Sequence, residues 1–133
     1  MAGETRVPIE RETDIVTARQ KGRELAALTG LSATEQTLIA TAISEVARNI
    51  VVYARRGEVV LALLEQQGRR GVLVVAKDDG PGIADPDLAM RDGYSTTRSL
   101  GMGLPGARRL MDEFELCSIL GKGTTVTMKK WAR

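Results

Sequence analysis

The spacing of apolar residues changes period several times along the chain. Val7 and Ile9 alternate with polar neighbours across Thr5 to Glu10, which predicts a short strand. Pro8 places that strand at a sheet edge, because proline has no N–H to give to a ladder. From Thr13, read as an N-cap, the positions Ile15, Ala18, Gly22, Leu25 and Leu28 recur at helical spacing until Gly30 ends the run. Ser32 with Glu35 three residues on forms a capping box for a second helix. Its apolar stripe, Leu38, Ile39, Ala42, Ile43, Val46, Ala47, Ile50 and Val51, lasts about five turns and closes at Arg55-Arg56-Gly57.

The period then shortens to that of strands. Glu58 to Gln66 and Gly71 to Lys77 flank the polar turn Gln67-Gly68-Arg69-Arg70 and predict a hairpin. Asp78 to Leu100 is rich in Gly, Pro, Asp, Ser and Thr and reads as a functional loop, with a helical turn over Pro86 to Met90. Gly101 to Phe114 predicts a helix with a glycine-rich start. Glu115 to Leu120 and Thr124 to Trp131 make a second hairpin around Gly121-Lys122-Gly123. The order β-α-α-β-β-loop-α-β-β predicts an α+β fold, a two-layer α/β sandwich with helices on one face of a mixed, mostly antiparallel sheet.

Composition narrows the chemistry. The 133 residues suit one domain, 1–133. A net charge of +2 and 3% aromatic residues argue against nucleic acid, which asks for excess positive charge and stacking rings. The sequence has no histidine, which removes a histidine phosphoacceptor, a histidine-based triad and histidine metal ligands. The single cysteine, Cys117, forms no intrachain disulfide and is expected as a packed thiol among Phe114, Leu116, Ile119 and Leu120. No signal-peptide core and no bilayer-length apolar run are evident, so a cytoplasmic protein without a membrane partner is expected.

Four constellations carry candidate chemistry. Glu45 and Asn49, in Ser44-Glu45-Val46-Ala47-Arg48-Asn49, share one helical face. There a carboxylate can take a proton and an amide oxygen one turn away can ligate Mg²⁺, although a solvated face explains the pair equally simply. Asp78-Asp79-Gly80-Pro81-Gly82 follows an apolar strand; an Asp there can accept from a purine amine, while a plain turn needs no ligand. Leu100-Gly101-Met102-Gly103 leads into a helix whose exposed amides would favour phosphate. No strand precedes these glycines and no Lys-Ser/Thr follows, so dinucleotide-fold and Walker readings fail. Gly121-Lys122-Gly123-Thr124-Thr125 is the fourth, readable as a mere turn.

Taken in this order, the motifs resemble the GHKL (Bergerat) ATPase superfamily, and within it the anti-sigma-factor serine kinases that include the switch kinase of the bacterial stressosome. The resemblance runs from Asp14-Ile15-Val16 through Ser44 to Asn49 and on to Leu110-Met111-Asp112-Glu113-Phe114, and is most specific at Ser44–Asn49 and Gly101–Met111. It implies ATP and Mg²⁺ as cofactors, with Asn49 holding the metal and Glu45 acting as catalytic base. It further implies that Asp78 bonds the adenine amine, that Gly80 and Gly82 let the nucleotide close on the backbone, and that Gly101 and Gly103 cradle the phosphates. Thr125 would support the adenine end, partly through water. Arg48 and Arg98 would be further phosphate-facing cations, against the alternative of solvated side chains. Tyr94 falls where the family carries a lid aromatic. The short stretch between Ile83 and Gly101 leaves little lid, so weak nucleotide retention or a lid completed by the protein substrate is expected.

The same resemblance implies a protein serine/threonine kinase acting on STAS-domain antagonist and scaffold proteins of a stressosome. Once released, the kinase would bind and activate a PP2C-type phosphatase. A homodimer formed away from the nucleotide pocket would fit the family. The alternative is a nucleotide-binding anti-sigma or phosphatase-activating interaction module without kinase activity. Glu45 favours catalysis, because a pure binder has no need of a base. A conformational ATPase would require further domains to transduce closure.

Overall fold

The computed structural model describes residues 4–83, 90 and 103–133. Among them the order is β1 (Thr5–Ile9), α1 (Glu12–Leu28), α2 (Ala33–Asn49), a wider π-type turn (Ile50–Ala54), β2 (Gly57–Gln66), β3 (Arg69–Asp78), α3 (Gly103–Leu110), β4 (Glu113–Ile119) and β5 (Gly123–Trp131). The five strands form one sheet in the order β1-β2-β3-β5-β4. Every pairing is antiparallel, so the expected parallel admixture does not occur among the described strands. β1 is an edge strand, as Pro8 requires.

Register decides which side chains face the helices. Ile9, Gly57, Asp78 and Thr124 lie in one row across β1, β2, β3 and β5. Two residues along each strand, Val7, Val59, Ala76 and Val126 form the next row on the same face. Those side chains meet Ile15, Ala18, Ile39, Ile43, Val46 and Leu104 from the helices, and this contact is the core. The two long helices approach closely: a Cβ on Gly22 of α1 would fall 2.1 Å from Ile43 Cδ1 of α2. The helix Ala33–Ala54 has the length and apolar content of a bilayer span, contrary to the reading of the sequence, but half of it is buried within the fold.

Several boundaries differ from the sequence reading, each for a local reason. α1 begins at Glu12 with Arg11 as N-cap rather than Thr13, because the Asp14 carboxylate accepts the N–H groups of Glu10 and Arg11 at 2.9 and 3.1 Å. The Ser32–Glu35 box is present as expected, with both reciprocal bonds at 3.1 Å. The β2–β3 turn shrinks to Gln67-Gly68, whose φ values of 53° and 78° suit the tight primed hairpin turn, so Arg69 and Arg70 belong to β3. α3 stops at Leu110 instead of reaching Phe114. Buried Lys130 donates from Nζ to the Leu110 carbonyl at 2.9 Å, and the Asp112 N–H donates to the Lys129 carbonyl at 3.0 Å, drawing the chain into β4. Phe114 and Leu116 then turn inward by strand alternation, which leaves Cys117 exposed rather than packed.

Candidate active site

The C-terminal half of α2 carries the first group. The solvated alternative for Glu45 does not survive the packing: it is 5% exposed, on a helix whose residues Ala42 to Ala47 are all buried. A buried carboxylate needs partners. Glu45 Oε1 accepts the N–H of Gly103 at 3.0 Å, and its Oε2 lies 3.5 Å from Arg48 Nη1. Gly103 is the first residue of α3, where unpaired amides and the helix dipole favour a negative group. Its φ of 56° is the left-handed conformation that glycine adopts readily. The second helix and the glycine-rich helix start, 58 residues apart, therefore meet at one bond.

Asn49, half-buried one turn beyond Glu45, makes no side-chain hydrogen bond among the described residues, so its amide oxygen is free to act as a ligand. The described residues contain no cluster of three carboxylate, cysteine or histidine groups able to hold a metal alone. That donor set fits Mg²⁺, which takes few protein ligands and completes its shell with phosphate and water oxygens. The helix continues past Asn49 as the π-type turn, a widening that recurs at functional sites. It ends at Arg55, whose φ of 73° is rare for a residue with a side chain.

The second group lies at the end of β3. Asp78 is 9% exposed, and its Oδ1 accepts the Gly80 N–H at 2.8 Å and the Thr124 N–H at 3.3 Å. Among the described residues Oδ2 takes no hydrogen bond, which leaves an acceptor for a ligand's amine. Gly80 and Gly82 have a reason within the chain itself. A Cβ on Gly80 would fall 2.6 Å from Ala54 Cβ, and one on Gly82 would fall 2.4 Å from the Ile119 carbonyl oxygen. Their small size lets the Asp78–Ile83 segment wedge between the π-type turn and the β4–β5 hairpin.

Thr125 is not brought to Asp78. It pairs with Lys77 and Cys117 on the helix-free face, whereas Thr124 is the residue beside Asp78. Thr124 is 5% exposed, and its hydroxyl lies 2.8 Å from that of Ser118, which also accepts the Ile83 N–H at 2.7 Å. Gly123 permits this closeness: a Cβ there would sit 2.1 Å from the Asp78 carbonyl oxygen. The sequence reading named Gly123 and Thr124 only as parts of the Gly121–Thr125 turn, took Thr125 as its site residue and missed Ser118. Counting back by twos from Val126 and Met128 would have selected Thr124. Arg48 faces Glu45 in this structure. Gly101, Arg98 and Tyr94, with most of the Pro86–Met90 turn, lie outside the described residues. A cavity of about 510 Å³ is lined by Pro8, Glu10, Arg56, Lys77, Asp78 and Asp79, and none of Glu45, Asn49 and Gly103 borders it.

Residues 9–130 match the family described as the histidine kinase-like ATPase domain. The chain belongs to the histidine kinase-like ATPase family. It is 48% identical to the serine/threonine-protein kinase RsbT of Bacillus subtilis (strain 168) over 127 residues, covering 96% of each chain. An anti-sigma F factor of Clostridium kluyveri is 33% identical over 101 residues, covering 72% of this chain and 70% of that protein. Among solved structures, a mycobacterial sensor histidine kinase, MprB, superposes with a TM-score of 0.57 at 14% identity, over 97% of this chain and 99% of the other. The last likeness establishes the fold alone. The near-complete, 48% identical relative places this family member with the RsbT-like serine/threonine-protein kinases, and family membership brings ATP with it.

Proposed function

We propose that this RsbT-like kinase transfers the γ-phosphoryl group of Mg-ATP to a serine or threonine of a STAS-domain antagonist or scaffold protein. The bond between Glu45 and the first amide of α3 carries the reading. It joins a buried carboxylate to a phosphate-favouring helix start, one helical turn from Asn49 as the proposed metal ligand, with Asp78 proposed for adenine. Phosphoryl transfer asks mainly for positioning and neutralisation of charge, and these groups are suited to both. In the proposed reaction the acceptor oxygen bonds to the γ-phosphorus, the bond to the ADP oxygen breaks, and Glu45 takes the hydroxyl proton. Asn49 would hold the magnesium, which when bound neutralises charge on the phosphates. Gly103 and, by the resemblance, Gly101 and Arg98 would contact the phosphates, whereas Arg48 faces Glu45; Asp78, supported by Thr124 rather than Thr125, would bond the adenine amine.

The regulatory part of the proposal is partner switching in the cytoplasm. A new phosphate brings nearly two negative charges to a contact that already faces ATP phosphates, so the phosphorylated STAS protein is repelled. The freed kinase surface would then engage a PP2C-type phosphatase. Homodimerisation, if it accompanies this cycle, would use the sheet face that no described helix covers, where Val60, Leu73 and Val75 sit. The test is intact-protein mass spectrometry of a STAS-domain protein incubated with this chain and Mg-ATP. A gain of one phosphate on Ser or Thr is expected. Tight association with ATP bound and no mass gain would instead establish the non-catalytic interaction module.

A further inference from the structure

We infer that Arg48 is a positioning residue for Glu45, a role that deepens the proposed function and rests on Glu45 being its base. Glu45 is contacted at both oxygens by two different elements: Oε1 by the Gly103 N–H of α3 at 3.0 Å and Oε2 by Arg48 Nη1 of its own helix at 3.5 Å. The two holds differ in what competes for them. Gly103 opens α3, and phosphate seeks the amides at such a helix start. An incoming triphosphate therefore competes with Glu45 for the Gly103 N–H. Arg48 stands three residues along on Glu45's own helix, so its hold is independent of α3.

Burial makes the second hold effective. The Glu45 side chain is 4% exposed and that of Arg48 33%, so water screens this pair less than it screens an exposed i,i+3 pair. Among the described residues, Glu45 is the partner of the Arg48 guanidinium. Once the amide turns to phosphate, a carboxylate without Arg48 has lost both fixed partners and can rotate about its side-chain bonds. With Arg48 present, one oxygen stays tied to the helix and the other faces the space vacated by the amide, where an acceptor hydroxyl must be met. This differs from a phosphate-binding arginine, which would act on nucleotide affinity.

The experiment compares R48M, R48K, E45Q and the E45Q/R48M double variant. It measures transfer from saturating Mg-ATP to a STAS-domain protein, and Mg-ATP affinity by calorimetry. R48M should slow saturated transfer about 10- to 100-fold, the usual consequence of a small misplacement of a reacting group, with affinity within about twofold of wild type. R48K, which keeps the charge, should restore most of the rate. The double variant should be no slower than E45Q. An R48M variant with full rate at saturation but at least about tenfold weaker Mg-ATP binding would overturn the inference and make Arg48 a phosphate ligand. A loss that adds fully to that of E45Q would overturn it as well. E45Q at wild-type rate would instead refute the base itself, whereas inactive E45Q beside fully active R48M would refute only the role of Arg48. Should R48M not fold, R48Q carries the same comparison, because it keeps a polar head on a shorter stem.

Discussion

Replacing Asp78 by Asn separates the carboxylate's service to a ligand from its service to the fold. Both backbone donors, Gly80 N–H at 2.8 Å and Thr124 N–H at 3.3 Å, end on Oδ1. An Asn oxygen can take that position and keep both bonds. The fold should then lose no more than about 1.5 kcal/mol, the difference between charged and neutral acceptors. Oδ2 becomes an NH2 group and, in the proposed site, would point donors at the adenine amine, which is also a donor. The lost charge-assisted bond is worth about 1.5–3 kcal/mol. At tenfold per about 1.4 kcal/mol, ATP should bind about 10- to 150-fold more weakly. ADP should weaken by the same factor, because the change lies at the base and not the phosphates. GTP offers an O6 acceptor in the corresponding place, so the ratio of GTP to ATP affinity should rise. Calorimetric titration of the three nucleotides, with a thermal melt as the folding control, reads every term. Normal ATP affinity in a folded D78N variant, or equal losses for ATP and GTP, would refute the adenine assignment.

Other expectations follow from single contacts. T124A should weaken ATP binding while T125A should not, since Thr124 shares the face of Asp78 and Thr125 the opposite one; calorimetry on both variants decides. K130M leaves the Leu110 carbonyl without its ammonium donor and should destabilise the protein by about 1–3 kcal/mol in urea unfolding, and an unchanged midpoint would remove Lys130 as the stop of α3. G22A forces a methyl against Ile43 Cδ1, with an expected cost of about 1–3 kcal/mol by the same assay. The Asp14 carboxyl is held below its ordinary value of 3.8, first by the Glu10 N–H and then by that of Arg11. Its stabilising contribution is present above that ordinary value and disappears as pH falls through the lowered one. D14N should therefore show a shallower loss of stability below about pH 4 than wild type; identical acid limbs would count against the Asp14 cap.

The elements with strong periodicity were legible from the residues alone. The α2 stripe, the Ser32–Glu35 box and the edge position of β1 each follow from local chemistry that the tertiary structure reinforces. Errors arose where a long-range partner decides. α3 looked longer because nothing local announces that Lys130, 20 residues on, caps Leu110. Cys117 looked packed because its apolar neighbours were read as a cluster and not by alternation. The choice of Thr125 over Thr124 was the same kind of slip: one residue along a strand moves a side chain to the other face. The sequence placed Glu45 and Asn49 on one face, but only the meeting of α2 with α3 shows that Glu45 is buried and held at both oxygens.

The most direct test of the central claim is calorimetric titration of Mg-ATP into the chain, alone and with a STAS-domain protein present. Saturable binding of one nucleotide per chain that weakens when magnesium is chelated, or when Asn49 is replaced by Ala, is the predicted result. Heats no larger than dilution in both titrations would contradict the account.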